Sequence, residues 1–114
     1  MIFRNPIKLK AYLYPENIDM RKSWNGLVAL VQFGMKLDPY KESLFVFCGK
    51  SNRLIKIVYW DGNGFCIWMK RLEQGNFPFQ SKQNPEITRK ELNWLLTGID
   101  SRRKHKALNF SVTQ

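Results

Sequence analysis

The sequence has few of the residues on which metal sites and many enzymes rely. It contains one histidine, His105, and two cysteines, Cys48 and Cys66, which stand within apolar runs that suit reduced, packed thiols. A zinc site or a catalytic dyad would need His105, but this residue stands in a basic run near the C-terminus, where a cation is repelled. We therefore expect no metal, no cofactor and no histidine-dependent catalysis.

Long apolar stretches are also missing. No segment approaches the ~20 apolar residues of a membrane-spanning helix, and the first ten residues, MIFRNPIKLK, lack the apolar core of a signal peptide. We expect a cytoplasmic protein with no membrane contact. Gly62 and Gly64 lie between two strand-like runs and not before a helix, so they predict a hairpin turn, not a phosphate-cradling loop. We expect no small-molecule substrate.

Acidic residues are scarce, with 9 against 19 basic residues in a chain of 114, which gives a net charge of +10. Such an excess favours a polyanionic partner, most often nucleic acid. No helix-turn-helix, zinc finger or RNA-recognition signature is present, which indicates contacts to phosphates and not to base edges. The candidate DNA-binding residues are Arg21, Lys22, Lys50, Arg53, Lys70, Arg71, Arg102, Arg103, Lys104 and Lys106.

The length and the apolar periodicity predict one α+β domain over residues 1–100, with an antiparallel sheet of four or five strands and two helices. Residues 101–114 are predicted to be a basic, disordered tail. A half-buried strand with antiparallel neighbours is predicted over 7–14, and a helix within 19–39. Further strands are predicted over 44–48, 54–60 and 65–71, a short edge strand over 75–80, and a second helix after a capping box at Thr88.

The predicted hairpin over 54–71 is apolar on both faces. If the corner has two or four residues, the numbers of any two paired strand residues add up to an odd value. Val58 and Trp60 then share one face of the hairpin with Phe65, and Tyr59 shares the other face with Trp68. A one-sided meander would show one polar face. The hairpin is therefore either covered by a helix on each side or offers one face to a partner.

Two other functions remain open at this stage. An adaptor that contacts only protein would expose several aromatic residues of the hairpin, namely Tyr59, Trp60, Phe65 and Trp68. A carboxylate-metal nuclease would bring Asp19, Asp61 and Asp100 together across a metal site, at about 4–8 Å from one another.

Three blocks of sequence resemble a known family. They are DMRKSWNGLVALV, LFVFCGKSNRLIKIVYWDGNGFCIWMKRLEQGNF and LNWLLTGIDSRR, in that order. They are similar to the TnpB-type accessory protein, the second open reading frame of the insertion-sequence sixty-six family of bacterial mobile elements. The resemblance implies a small, non-enzymatic helper in DNA transposition, encoded beside a larger transposase that it could contact. It supplies no catalytic residues.

Overall fold

The computed structural model describes residues 9–98 of the chain. Within them, the chain forms five strands and two helices, and the first helix continues directly into a π-helical turn. Their bounds are β1 Lys10–Leu13, α1 Trp24–Ala29 with the π-helical turn Leu30–Gly34, β2 Ser43–Cys48, β3 Leu54–Trp60, β4 Phe65–Arg71, β5 Glu86–Ile87 and α2 Arg89–Thr97. No helix among the described residues is long and apolar enough to cross a membrane.

The five strands form one sheet in the order β4-β3-β2-β1-β5. The predicted α+β class is confirmed, and most of the sheet is antiparallel. The antiparallel context predicted for the first strand is wrong for one of its neighbours, because β1 runs parallel to β2 with Lys10 opposite Ser43. The chain between these strands passes through α1 on one face of the sheet, and such a β-α-β crossover returns the next strand in the same direction.

Each face of the sheet is covered by one helix. On one face, Leu27 and Val31 of the first helical segment are fully buried against Phe47 and Val58. On the other face, Leu92 and Leu95 of α2 pack against a core that includes residues of β1, β2 and β3. The hairpin thus has a helix on either side, but the cover on the α1 face is partial, because Ile67 and Met69 of β4 are exposed there.

The hairpin register is the one that the sequence predicts. Leu54 lies opposite Arg71 and Trp60 lies opposite Phe65, so the paired indices have an odd sum. The turn closes with a hydrogen bond from the Asp61 N–H to the Gly64 carbonyl at 2.8 Å.

The edge strand predicted over 75–80 is wrong. Phe77 is buried and its N–H binds the Asn52 carbonyl, which ties this segment to the β2–β3 turn. The short edge strand is β5, which follows Pro85 and pairs with β1. The capping box of α2 is confirmed, because the Thr88 hydroxyl accepts from the Glu91 N–H and the Glu91 carboxylate accepts from the Thr88 N–H.

Candidate nucleic-acid interface

One end of the sheet gathers most of the candidate DNA-binding residues of the described chain. Lys50 and Arg53 lie in and directly after the β2–β3 turn, and Arg71 ends β4 opposite Leu54, the first residue of β3. Arg53 also donates a hydrogen bond to the Glu73 carbonyl, just beyond β4. The strand pairing itself therefore brings Lys50 and Arg53 of the turn together with Arg71 of β4 at one end of the sheet.

The segment before α1 reaches the same end. Ile18 forms a parallel bridge with Gly49, and the side-chain amide of Asn17 donates to the Gly49 carbonyl at 2.7 Å. These contacts anchor residues 17–22 beside the β2–β3 turn. Arg21 and Lys22, both exposed, are thereby added to the cluster. We call Arg21, Lys22, Lys50, Arg53 and Arg71 the basic end.

Lys56 supports this arrangement and was missed by the sequence reasoning. Its half-buried Nζ donates to the carbonyls of Met20 at 2.7 Å and Lys22 at 3.1 Å, which ties the strand to the segment that carries Arg21. The signal was present in the sequence, since Lys56 is the one charged residue within the apolar run of β3. A lysine in such a place needs nearby acceptors.

The charges of the basic end are partly balanced. The Asp19 carboxylate pairs with the Arg21 guanidinium at 2.6 Å, and the hydrogen bonds from Arg21 hold the pKa of Asp19 well below its usual range. Asp19 therefore stays ionised at neutral pH and cancels the charge of Arg21 locally. Lys22, Lys50, Arg53 and Arg71 remain exposed to solvent.

The other candidates lie elsewhere. Lys70 is half-buried on the α2 face, where its Nζ donates to the Leu96 carbonyl at 2.8 Å. Arg102, Arg103, Lys104 and Lys106 lie outside the described residues, as does His105. Residues 9–98 carry thirteen basic and eight acidic residues, a net charge of +5, so the remaining +5 falls on the two ends of the sequence.

The described part of the chain ends at Gly98, close to the basic end. The Gly98 backbone approaches Leu72, the residue after β4, so closely that an added Cβ would lie 2.8 Å from the Leu72 Cδ1. Gly98, the last described residue, therefore lies beside the residue that follows Arg71.

The aspartates do not form the pair that a nuclease would need. Asp19 lies next to Ile18, at the end of the sheet where β3 begins, and Asp61 directly follows β3. A strand of seven residues separates the two ends by about 20 Å. Asp100 lies outside the described residues, and within the described part no three His, Cys, Asp or Glu side chains are grouped as metal ligands.

The aromatic residues of the hairpin are neither buried nor fully exposed. Tyr59, Trp60, Phe65 and Trp68 are all half-buried, and Phe65 stacks on Trp24 with ring centroids 5.8 Å apart. Tyr40 contacts both Trp60 and Phe65, at centroid distances of 5.0 and 5.2 Å. Trp24 and Tyr40 are about half exposed. The most exposed rings of this cluster are thus those of Trp24 and Tyr40, which lie outside the hairpin and pack on it.

The chain is similar to known proteins over most of its length. The family model described as IS66 Orf2 like protein matches residues 9–106. Two proteins of Sinorhizobium fredii (strain NBRC 101917 / NGR234) are also similar. The uncharacterized protein y4hO is 36% identical over 96 residues, which cover 82% of this chain and 84% of the relative. The uncharacterized protein y4jC is 34% identical over 94 residues, which cover 81% and 80%.

No solved structure matches the chain. The family match includes every element of the fold and extends beyond α2 into the basic run. It confirms the resemblance carried by the three sequence blocks. The chain therefore belongs to the IS66 Orf2-like family, which has an accessory role associated with the transposition of insertion sequences.

Proposed function

We propose that the protein is a non-enzymatic accessory factor in DNA transposition that binds DNA through the phosphate backbone. The observation that carries the proposal is the basic end, where five exposed cations from three separate segments converge, one of which, Arg21, is paired with Asp19. Cations placed in this way neutralise phosphates and release counterions, and they need no fixed spacing to do so. No base-reading helix is required.

The basic run Arg102, Arg103, Lys104 and Lys106 belongs to the same proposed surface. The proposal is supported by the position of Gly98, which lies beside Leu72, and by the sequence, in which Arg102 follows Gly98 by four residues. Lys70 contributes less to DNA binding than its neighbours, because its ammonium group donates to the Leu96 carbonyl on the face of the sheet that α2 covers.

Paired variants test this proposal. Lys50→Gln with Arg53→Gln removes two charges from the basic end, while Lys10→Gln with Lys41→Gln removes two from the opposite end, near Ser43 at the start of β2. Binding to duplexes of the element's terminal repeats is measured by fluorescence anisotropy. The first variant should bind at least about tenfold more weakly and lower the salt slope by about two. An equal loss in both variants would contradict a localised DNA surface.

A second candidate function is a protein adaptor that contacts the transposase of the same element. It is favoured by the exposure of Trp24 and Tyr40, since large apolar side chains at a surface frequently mark an interface. Trp24→Ser would then weaken capture of the purified transposase and leave DNA affinity unchanged. If the variant captures the transposase as well as the natural sequence does, this candidate is rejected.

A further inference from the structure

Strand β4 forms an edge of the sheet as far as residues 9–98 define it. It lies at the outer position beside β3, and all seven of its residues pair with β3 without a bulge. An edge strand of this length presents a row of backbone donors and acceptors to a further strand, and natural sheets usually cover or interrupt such a row. Within residues 9–98 no other strand pairs with β4.

The residues of β4 that face outward follow from the alternation of an antiparallel ladder. The Leu72 N–H donates to the Arg53 carbonyl at 2.9 Å, so these two residues form a hydrogen-bonded pair. Counting back from Leu72, every second residue points its backbone groups toward β3, and the residues between them point outward. The outward residues are Phe65, Ile67, Met69 and Arg71.

The same stretch leaves apolar side chains in water. Ile67 is 39% exposed and Met69 is 57% exposed, on the face of the sheet that α1 covers elsewhere. The charged residues of the strand, Lys70 and Arg71, are both positive. A segment that covers this edge therefore needs apolar residues at alternate positions and no positive charge opposite Arg71.

The sequence of this chain contains such a segment. Residues 108–114, LNFSVTQ, have Leu108, Phe110 and Val112 at every second position, with polar residues between them. This alternation is typical of a half-buried strand, and the segment contains no charged side chain, no proline and no glycine. It lies outside the described residues and beyond residue 106, where the family match ends.

The described chain ends beside the end of β4. An added Cβ at Gly98 would lie 2.8 Å from the Leu72 Cδ1, and the Lys70 Nζ donates to the Leu96 carbonyl. From Gly98, the nine residues 99–107 reach roughly 30 Å when extended, which is ample for a return along β4. A tethered segment has an effective concentration on the order of millimolar, which favours it over a free partner.

We propose that residues 108–114 add a sixth strand to the sheet, antiparallel to β4 along its outer side. The two central pairs are Phe110 opposite Met69 and Val112 opposite Ile67. They cover the exposed apolar side chains of β4, and the first of them is an aromatic–sulfur contact. A strand at this place differs from the disordered tail that the sequence predicts over 101–114.

Charge and alternation select the register, in which Leu108 lies opposite Arg71. A shift of one residue turns the polar residues of the segment toward the exposed apolar face of β4. A shift of two residues in one direction places Lys106 opposite Arg71, and like charges directly opposite are destabilising. A shift of two residues in the other direction leaves Ile67 opposite Gln114.

The proposed strand has a consequence for the basic run between Gly98 and Leu108. Both ends of this connection are then held at the end of β4 that carries Arg71, which adds the basic run to the basic end. The use of the run in DNA contact rests on the proposed function, whereas the strand pairing does not.

A disulfide tests the pairing in the full chain without DNA. In the proposed register Thr113 lies opposite Cys66 in a non-hydrogen-bonded pair, where the Cα atoms are about 4.5 Å apart, a separation that a disulfide spans. Thr113→Cys is treated with oxidised glutathione, which accepts the two electrons released when the two thiols join. Mass spectrometry after proteolysis should find Cys66 linked to position 113 of the same chain in most molecules.

Two further variants serve as controls. Val112→Cys should not link to Cys66, because neighbouring strand residues point to opposite faces. Phe110→Ser removes the central ring without a change in charge, and circular dichroism establishes that this variant is folded. The amide hydrogens of Ile67 and Met69 should exchange at least about tenfold faster in Phe110→Ser than in the natural sequence.

Several outcomes would overturn the proposed strand. One is the absence of linkage from position 113, and another is equal linkage from positions 112 and 113. Linkage between two chains, or amide protection that rises with protein concentration, would identify a second copy as the occupant. Protection of Ile67 and Met69 that survives Phe110→Ser would show that a different segment covers the edge.

Discussion

The ammonium group of Lys70 in β4 lies 2.8 Å from the main-chain carbonyl oxygen of Leu96, in the last turn of α2. The contact joins a strand to a helix whose final carbonyls have no partner within the helix. A cation at this place also interacts favourably with the helix dipole. The residue that sequence reasoning assigned to DNA therefore has a structural partner.

Replacement of Lys70 distinguishes a role in stabilising the fold from a role in binding DNA. Lys70→Met should lower the free energy of unfolding by about 1–2 kcal/mol, because a charged hydrogen bond to a half-buried carbonyl is lost. DNA affinity should fall by less than threefold, in contrast to the effect of Lys50→Gln with Arg53→Gln. Urea unfolding and anisotropy give the two values. If stability is unchanged and DNA affinity falls tenfold, Lys70 binds DNA and its contact with Leu96 does not stabilise the fold.

Gly98 is expected to tolerate a side chain poorly, because it combines a positive φ with a close neighbour. Its φ of 75° and ψ of 167° lie in a region that is almost restricted to glycine, and an added Cβ would meet Leu72 at 2.8 Å. Gly98→Ala should destabilise the fold by about 1–3 kcal/mol. Gly64→Ala is the matched control, because no atom lies within 4 Å of its added Cβ. Equal thermal shifts in the two variants would contradict this account.

Cys48 makes stability depend on pH in the alkaline range. Burial raises the pKa of the Cys48 thiol from 9.0 to about 11. Between these pH values the unfolded chain releases the thiol proton while the folded chain retains it. The contribution of Cys48 to the free energy of unfolding is therefore complete below pH 9 and is lost as the pH rises toward 11. The loss attributable to this thiol should be about 2 kcal/mol.

Urea unfolding at pH 8 and pH 11 measures this effect in the natural sequence and in Cys48→Ala. The natural sequence should lose about 2 kcal/mol more than the variant between the two pH values, since the other titrating groups are common to both. An equal loss in both chains would show that the thiol does not contribute.

The helices and central strands could be predicted because their signals are local. The apolar period of the first helix, the D-G-N-G corner and the capping box at Thr88 depend on neighbouring residues only, and the hairpin register followed from the corner. The parallel pairing of β1 with β2 depends on where the crossover returns. No local pattern in the short β1 strand distinguishes the two directions.

The candidate site could be predicted only as a set of residue types. Charge alone indicates Lys50 and Lys70 equally, but alternate strand positions place Lys70 on the α2 face and leave Lys50 in an exposed turn. The structural role of Lys56 depends on the carbonyls of Met20 and Lys22, which lie 36 and 34 residues away in sequence. Tertiary structure decides which cations are free to meet phosphates.

The salt dependence of binding to the terminal repeats tests the central claim most directly. If Lys22, Lys50, Arg53, Arg71 and the basic run from Arg102 contact phosphates, the logarithm of the association constant should fall linearly with the logarithm of salt concentration. Six or more contacts predict a loss of about 10³-fold or more between ~50 and ~200 mM salt. Affinity that is absent at low salt, or that does not change over this range, would contradict DNA binding through phosphates.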